Sequence, residues 1–114
     1  MSQIAIAGTI TIPPDRRETC LRETAHLQAA TRAEEPGCLA YVFSADPLRD
    51  DTIVVFELWS DPDSLEAHFL HPNYTNMRDA LGAHGITGAD VSKFRIDAAA
   101  PVYNAQRIAT ANFD

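Results

Sequence analysis

A carboxylate, an indole and an imidazole lie close together in this sequence, at Glu57, Trp59 and His68. Histidine ordinarily titrates near neutral pH, so His68 is the candidate proton acceptor, and Glu57 could orient its ring and stabilise the cationic form. Trp59 could wall a pocket and stack on an aromatic ligand. These residue types therefore suit proton abstraction from a molecule held in an apolar pocket.

Each of these side chains also has a structural alternative. His68 could be a buried histidine that bonds to Glu57 or to the backbone and ties a strand to a helix. Glu57 could be a buried carboxylate that only specifies the fold, and Trp59 could be core. Ordinary packing is likewise the alternative for the further candidates for pocket lining, which are Phe69, Tyr74 and Tyr41.

The candidates lie on one strand and on the helix that follows it directly. A β-branched, apolar run from residue 53 to residue 59 predicts a strand that is apolar on both faces. Its period of two puts Val54, Phe56 and Leu58 on one face, opposite Ile53, Val55, Glu57 and Trp59. Asp61 is the expected N-cap of the helix and Pro62 suits its first position. Helical spacing then places His68 on the same stripe as Leu65 and Phe69.

The other elements follow from similar patterns. Ile4 to Ile12 alternates large and small residues and predicts a strand, and Asp15 with Glu18 resembles a capping box at the start of a helix that ends near Glu34. In that helix a thin apolar stripe is expected at Cys20, Thr24, Leu27 and Thr31.

A second strand is expected next, and one of its faces is formed by Leu39, Tyr41, Phe43 and Ala45. Pro72 should bend or split the second helix, whose continuation carries Tyr74, Met77 and Leu81, and a last strand is expected at residues 91–96.

This order of elements predicts an α+β, ferredoxin-like βαββαβ fold with a four-stranded antiparallel sheet. Right-handed crossovers would place both helices on one face of the sheet. The other face is also apolar, so we expect a second copy to cover it, giving a homodimer of the dimeric α+β barrel type. Residues 1–97 would form the domain, and residues 98–114 a C-terminal tail or an arm that lies on the partner.

Composition limits the classes of function. The 114 residues carry a formal net charge of −7 and no cluster of basic residues, which argues against binding to nucleic acid or to an anionic membrane. No apolar run is long enough for a membrane helix and no signal peptide is recognised, so a cytoplasmic protein with two free thiols, Cys20 and Cys38, is expected. His68 and His71 lack a convincing third ligand, so no metal site is predicted.

Three segments together resemble the antibiotic biosynthesis monooxygenase (ABM) domain proteins, which include quinol monooxygenases. The resemblance spans roughly residues 3 to 96 and is carried by residues 35–41 (Glu-Pro-Gly-Cys-Leu-Ala-Tyr), 56–61 (Phe-Glu-Leu-Trp-Ser-Asp) and 65–69 (Leu-Glu-Ala-His-Phe), followed by Pro72. It implies a dimeric α+β barrel that oxygenates a small phenolic or hydroquinone-like substrate with O2, without flavin, haem or metal. In that function His68 and Glu57 would be catalytic.

Other functions stay open on the same fold. The haem-degrading branch uses an asparagine on the first strand, where this chain has none, so haem cleavage is disfavoured, whereas His84 leaves haem binding open. A non-enzymatic small-molecule-binding or stress-response module is the main alternative. An isomerase or decarboxylase that uses His68 without O2 is a third.

Overall fold

The computed structural model describes residues 2–114. Its elements are β1 (Ile4–Thr11), α1 (Pro14–Glu34), β2 (Cys38–Ala45), β3 (Thr52–Trp59), α2 (Pro62–Leu70), α3 (Pro72–Ala83) and β4 (Gly88–Arg95). The strands form one antiparallel sheet in the order β2-β3-β1-β4. The predicted ferredoxin-like fold is confirmed, with the second helix divided into α2 and α3.

The central strand β3 has two unlike faces, as its alternation predicts. Toward the helices its side chains are buried at Ile53, Val55, Glu57 and Trp59. On the other face Val54 and Phe56 keep 36% and 42% of their surface exposed, and Val42 of β2 keeps 36%. We call these two faces the helix side and the bare side of the sheet.

Helix α1 packs against the sheet through the expected stripe of Cys20, Thr24, Leu27 and Thr31, all of which are buried. The predicted capping box at its start is wrong. The helix begins at Pro14, and Pro13 occupies the N-cap without a side-chain hydrogen bond, because proline at the first helical position presets the backbone angle. Asp15 therefore lies inside the first turn.

The helix boundaries after β3 agree with the sequence. Asp61 caps α2, its carboxylate accepting a hydrogen bond from the Ser64 amide at 2.7 Å. Pro72 forces His71 into an extended conformation, which ends α2 and lets Pro72 start α3. The ring of His71 then caps α3 by accepting a hydrogen bond from the Asn73 amide. Within residues 2–114, no helix has the length and apolarity that crossing a membrane requires.

Strand β4 lies at the edge of the sheet and begins earlier than the sequence predicts. Gly88 already pairs with Thr11, so the pairing with β1 adds residues before Val91. The two backbones approach closely at Gly8, where a Cβ atom would overlap the carbonyl oxygen of Asp90. A glycine is therefore required at position 8 for this pairing.

The segment after β4 is a short irregular hairpin. Its one bridge joins Tyr103 to Ala109, and Asn104 stabilises the turn by accepting hydrogen bonds from the Gln106 and Ile108 amides. Large apolar side chains of the segment are exposed by about 60% each: Val102, Tyr103, Ile108 and Phe113. Whether the segment contacts a partner stays a prediction.

Candidate functional site

A cavity of about 540 Å³ opens between the helix side of the sheet and the helices α2 and α3. It lies toward β1 and β4, where the helices leave the sheet partly uncovered. Apolar side chains from both layers form most of its walls, including Ile6, Ile10, Val55, Met77 and Leu81. An apolar, partly enclosed space of this size suits a small organic ligand.

Four of the six candidate residues line this cavity: Tyr41, Glu57, Phe69 and Tyr74. His68 and Trp59 do not, and they are only 1% and 0% exposed. Their ring centroids lie 4.5 Å apart, and the edge of Tyr74 packs against His68 at 5.6 Å. His68 and Trp59 thus form a packed layer behind the cavity wall, so the expectation that His68 faces a ligand is corrected.

Glu35, and not Glu57, is the partner of His68. The Nδ1 atom of His68 lies 3.0 Å from both carboxylate oxygens of Glu35, and both side chains are buried. Burial lowers the pKa of His68 and the Glu35 carboxylate opposes that effect. A neutral ring that donates its Nδ1 proton to Glu35 agrees with both effects, because it avoids a buried cation and still makes the hydrogen bond to the carboxylate. The prediction that Glu57 orients His68 is therefore wrong.

Glu35 also joins α1 to α3. Its Oε2 atom accepts a hydrogen bond from Asn73 Nδ2 at 3.2 Å, and the neighbouring carboxylate of Glu34 accepts another from the same nitrogen at 3.3 Å. Glu35 and Asn73 were not among the sequence candidates. The sequence contains a signal for the burial of Glu35, because one more helical step of four residues beyond Thr31 on the buried stripe of α1 reaches Glu35.

Glu57 is the carboxyl group that faces the cavity from the sheet. Its Oε1 atom accepts a hydrogen bond from Trp59 Nε1 at 3.0 Å, and the side chain is only 8% exposed. Burial raises the pKa of Glu57 to about 7, although the bond from Trp59 works against that rise. A carboxyl group with such a pKa can both accept and return a proton at neutral pH.

Tyr41 lies beside Glu57 on the adjacent strand, where the two residues are register partners. The phenol is 1% exposed, and burial, together with the charge of Glu57, raises its pKa well above the ordinary value. Tyr41 therefore stays neutral and can act only as a hydrogen-bonding or packing group in the cavity wall.

The buried carboxyl of Glu57 predicts that the difference in stability between the wild-type protein and a Glu57→Gln variant depends on pH. Its pKa is about 7 in the folded chain and 4.5 ordinarily, so the folded state loses stability as the pH rises from 4.5 through 7. The Glu57→Gln variant lacks this loss. From pH 4.5 to pH 8 its free energy of unfolding, measured by urea denaturation, should rise relative to wild type by about 3 kcal/mol. A pH-independent difference would contradict the assignment, since all other titrating groups are shared.

Two of the remaining histidines, His84 and His71, make defined contacts. His84 Nε2 lies 2.8 Å from Glu23 Oε2 and its Nδ1 lies 3.3 Å from Arg16 Nη2, so a haem iron would have to displace an existing contact. The Nδ1 of His71 caps α3. In the part of the chain that the structure describes, no group of three or more His, Cys, Asp or Glu side chains is arranged to hold a metal ion. Both Cys20 and Cys38 are free.

A second depression, of about 650 Å³, lies over the loop between β2 and β3. Arg17 occupies one side of it and donates hydrogen bonds to the carbonyl oxygens of Asp46 and Thr52, each at 3.1 Å. The rest of its lining is exposed loop, without the aromatic wall and the buried carboxyl of the first cavity. The cavity that contains Glu57 is therefore the candidate site.

Comparison with known proteins identifies a family. The sequence model of the family described as antibiotic biosynthesis monooxygenase matches residues 3–80. Protein sll1783 of Synechocystis sp., which is uncharacterized, is 32% identical over 71 residues. That match covers 62% of this chain and 48% of the relative, so only about half of the relative's length is matched.

Solved structures share the fold at lower identity. A candidate antibiotic biosynthesis monooxygenase from Caulobacter crescentus CB15 is 21% identical, with a TM-score of 0.77 over 83% of this chain and 90% of that chain. SnoaB from Streptomyces nogalater, described as a cofactor-independent oxygenase, is 18% identical, with a TM-score of 0.65 over 89% of this chain and 99% of that chain. At these identities the likeness shows the fold.

Proposed function

Because this chain belongs to the antibiotic biosynthesis monooxygenase family, we propose that it oxygenates a small phenolic or hydroquinone-type aromatic with O2 in the cavity that contains Glu57. The observation that carries the proposal is the buried carboxyl of Glu57, held by Trp59 on an otherwise mainly apolar and aromatic lining. The burial that raises the pKa of Glu57 to about 7 supports it. SnoaB, which shares the fold, works without a cofactor, and we extend that property to this chain as part of the proposal.

The chemistry requires a base and a dry site. Glu57 takes the phenolic proton, and the resulting phenolate is electron-rich enough to pass an electron to O2. A bond forms between a ring carbon and oxygen, and the resulting peroxide anion takes the proton back from Glu57 to become a hydroperoxide. The same ring carbon then loses its hydrogen as a proton while the O–O bond breaks, so that this proton and the departing hydroxide leave as water and a carbonyl group remains. One oxygen atom enters the product and the other leaves as water.

Aromatic side chains form the wall of the cavity against which the substrate binds. Phe69 and Tyr74 pack edge to face at 5.1 Å and form the helix wall of the cavity, opposite the sheet. Trp59 holds Glu57 through the 3.0 Å hydrogen bond, and His68 supports Trp59 and Tyr74 from behind. In this proposal Glu57 replaces His68 as the proton acceptor, and His68 is a positioning residue.

Oxygen uptake tests the proposed function. Purified protein is mixed with a panel of hydroquinones in buffer treated to remove metal ions, and O2 consumption and the incorporation of labelled oxygen are followed. Protein-dependent uptake with one labelled atom in the product is expected. Thermal stabilisation by the same compounds without uptake would favour the binding module, and turnover under nitrogen would favour an isomerase or decarboxylase.

The bare side of the sheet supports a homodimer. Proteins of this family are typically dimeric. The exposed apolar side chains of β2 and β3 on this side, Val42, Val54 and Phe56, are continued on β4 by Phe94, which is 54% exposed and pairs with Ala5 of β1. We propose that a second copy of the chain covers this face, because a contiguous apolar patch of this kind is rarely left in water.

A charge at the centre of this face should prevent association. Phe56→Glu is expected to shift the mass measured by light scattering after size exclusion from that of a dimer to that of one 12.5 kDa chain, because the carboxylate would be buried unpaired. Leu48→Glu is the control, since Leu48 is 93% exposed in a loop and should leave the dimer intact. A monomeric wild-type protein, or a dimeric Phe56→Glu variant, would contradict the proposal.

A further inference from the structure

A straight row of side chains crosses the helix side of the sheet at the cavity floor. Tyr41 of β2 pairs with Glu57 of β3, Glu57 pairs with Ile6 of β1, and Ile6 pairs with Lys93 of β4. All of these residues line the cavity. Neighbouring strands lie about 4.8 Å apart, so the backbones of Glu57 and Lys93 are separated by about 10 Å, with Ile6 between them.

Among the residues that the structure describes, Lys93 is the one charged side chain besides Glu57 that the sheet contributes to the lining of this cavity. The helices contribute one charge of each sign, Glu66 and Arg78, and Arg78 also lies 3.2 Å from Asp79. Within residues 2–114, Lys93 forms no ion pair. Burial raises the pKa of Glu57 to about 7, so a large fraction of that carboxyl is neutral at neutral pH. A cation thus stands at one end of the row, and a carboxyl group that is partly protonated at neutral pH stands near the other.

We propose that Lys93 is an anion-binding residue of this cavity and that the ligand is a phenol with an acidic group, such as a carboxylate, across the ring from its hydroxyl. The ring lies over Ile6, the hydroxyl is at Glu57, and the acidic group is at the Lys93 ammonium. This orientation rests on the proposed function, which places the hydroxyl at Glu57. Aliphatic Ile6 provides the flat apolar floor that the ring needs between the two polar ends.

A matched pair of probes isolates the contribution of the ligand's negative charge to its affinity. 4-Hydroxybenzoate and 4-hydroxybenzamide have nearly the same shape, and only the first is an anion at pH 6. Their affinities are measured by calorimetry under nitrogen, so that no oxidation occurs. Wild-type protein should bind the acid about fivefold more tightly than the amide, which is near the upper limit for an ion pair at an exposed ammonium. The preference should shrink in 0.5 M salt.

Variants on the same strand provide the control. Lys93→Gln should bind acid and amide with equal affinity, and Lys93→Arg should keep the preference. Arg95→Gln should keep it as well, because Arg95 lies two residues along the same exposed edge strand, on the same face, but does not line the cavity. Equal affinity of the wild-type protein for both probes, or an unchanged preference in Lys93→Gln, would overturn the proposal.

Lys93 is the only lysine in the sequence, which permits a direct readout without a variant. After reductive methylation with ¹³C-formaldehyde, the Lys93 dimethylammonium signal should shift when 4-hydroxybenzoate is added, and should shift much less with the amide. No shift with the acid, or the same shift with both probes, would contradict the assignment.

The outcomes separate this proposal from the proposed function. Binding under nitrogen does not depend on oxygenation, so a Lys93-dependent preference without any O2 uptake would sustain the anion site and reject the oxygenase. Conversely, O2 uptake that is unchanged in Lys93→Gln, with equal binding of acid and amide by the wild-type protein, would sustain the oxygenase and reject the anion site.

Discussion

Replacing Glu57 with glutamine is expected to lower kcat/KM for a hydroquinone by about 10²- to 10⁴-fold, the range in which a general base acts. Glutamine keeps the oxygen that accepts the bond from Trp59 Nε1, so the cavity should keep its shape. The affinity for the same hydroquinone, measured under nitrogen, should change by no more than about threefold. The loss would therefore lie in kcat, as expected for a group that acts on the reacting proton.

The pH profile gives this prediction a second readout. In the wild-type protein log(kcat/KM) should rise with pH and level off above about 7, where Glu57 is deprotonated. The profile of Glu57→Gln should lack that step. Glu66→Gln is the matched control, because Glu66 also lines the cavity but is exposed on α2. Activity of Glu57→Gln within about threefold of wild type would contradict the role of Glu57 and return His68 to consideration.

Removing the carboxylate of Glu35 is expected to have the largest effect on stability. Glu35→Ala leaves the Nδ1 proton of His68 and the amide of Asn73 without their buried acceptor. Each buried donor that is left without its acceptor costs about 1 to 3 kcal/mol, so the two donors together should lower the free energy of unfolding, measured by urea denaturation at pH 7.5, by about 2 to 6 kcal/mol. The variant should also lose most of its activity, because His68 packs against Trp59 and Tyr74.

The neighbouring residue offers a control for this prediction. Glu34 accepts a hydrogen bond from the same Asn73 nitrogen but is exposed, so Glu34→Ala should cost less than about 1 kcal/mol. Equal losses in the two variants would show that the Glu35–His68 pair is not what holds α1, α2 and α3 together. A loss below 1 kcal/mol in Glu35→Ala would have the same meaning.

Local patterns in the sequence were sufficient to predict the fold. The alternation in β1 and β3, the Asp61 cap, the break at Pro72 and the stripe on α1 each depend on neighbouring residues, and all agree with the structure. In β2 alternation alone was misleading. A register shift between Cys38 and Ala40 turns Leu39 out of the face that Tyr41 and Phe43 share, and leaves it 50% exposed.

The site was harder to predict because its contacts join residues that are distant in the sequence. Residue type alone points to His68 and Glu57. The sequence does not show that the carboxylate bonded to His68 belongs to Glu35, which lies 33 positions before it. The sequence places Lys93 only within the last predicted strand, at residues 91–96. Its place at the cavity follows from the pairing of β4 with β1 and from the position of the helices, which leave this edge of the sheet uncovered.

We expect the aromatic ligand to bind in the cavity that contains Glu57. Met77 lines it and is 2% exposed, and the sequence has only two methionines. With ¹³C-methyl methionine and hydroquinone under nitrogen, we expect a saturable shift of the Met77 methyl signal and an intermolecular NOE from the ligand ring to that methyl group. A saturating ligand that produces neither signal at Met77 would show that the ligand does not bind in this cavity.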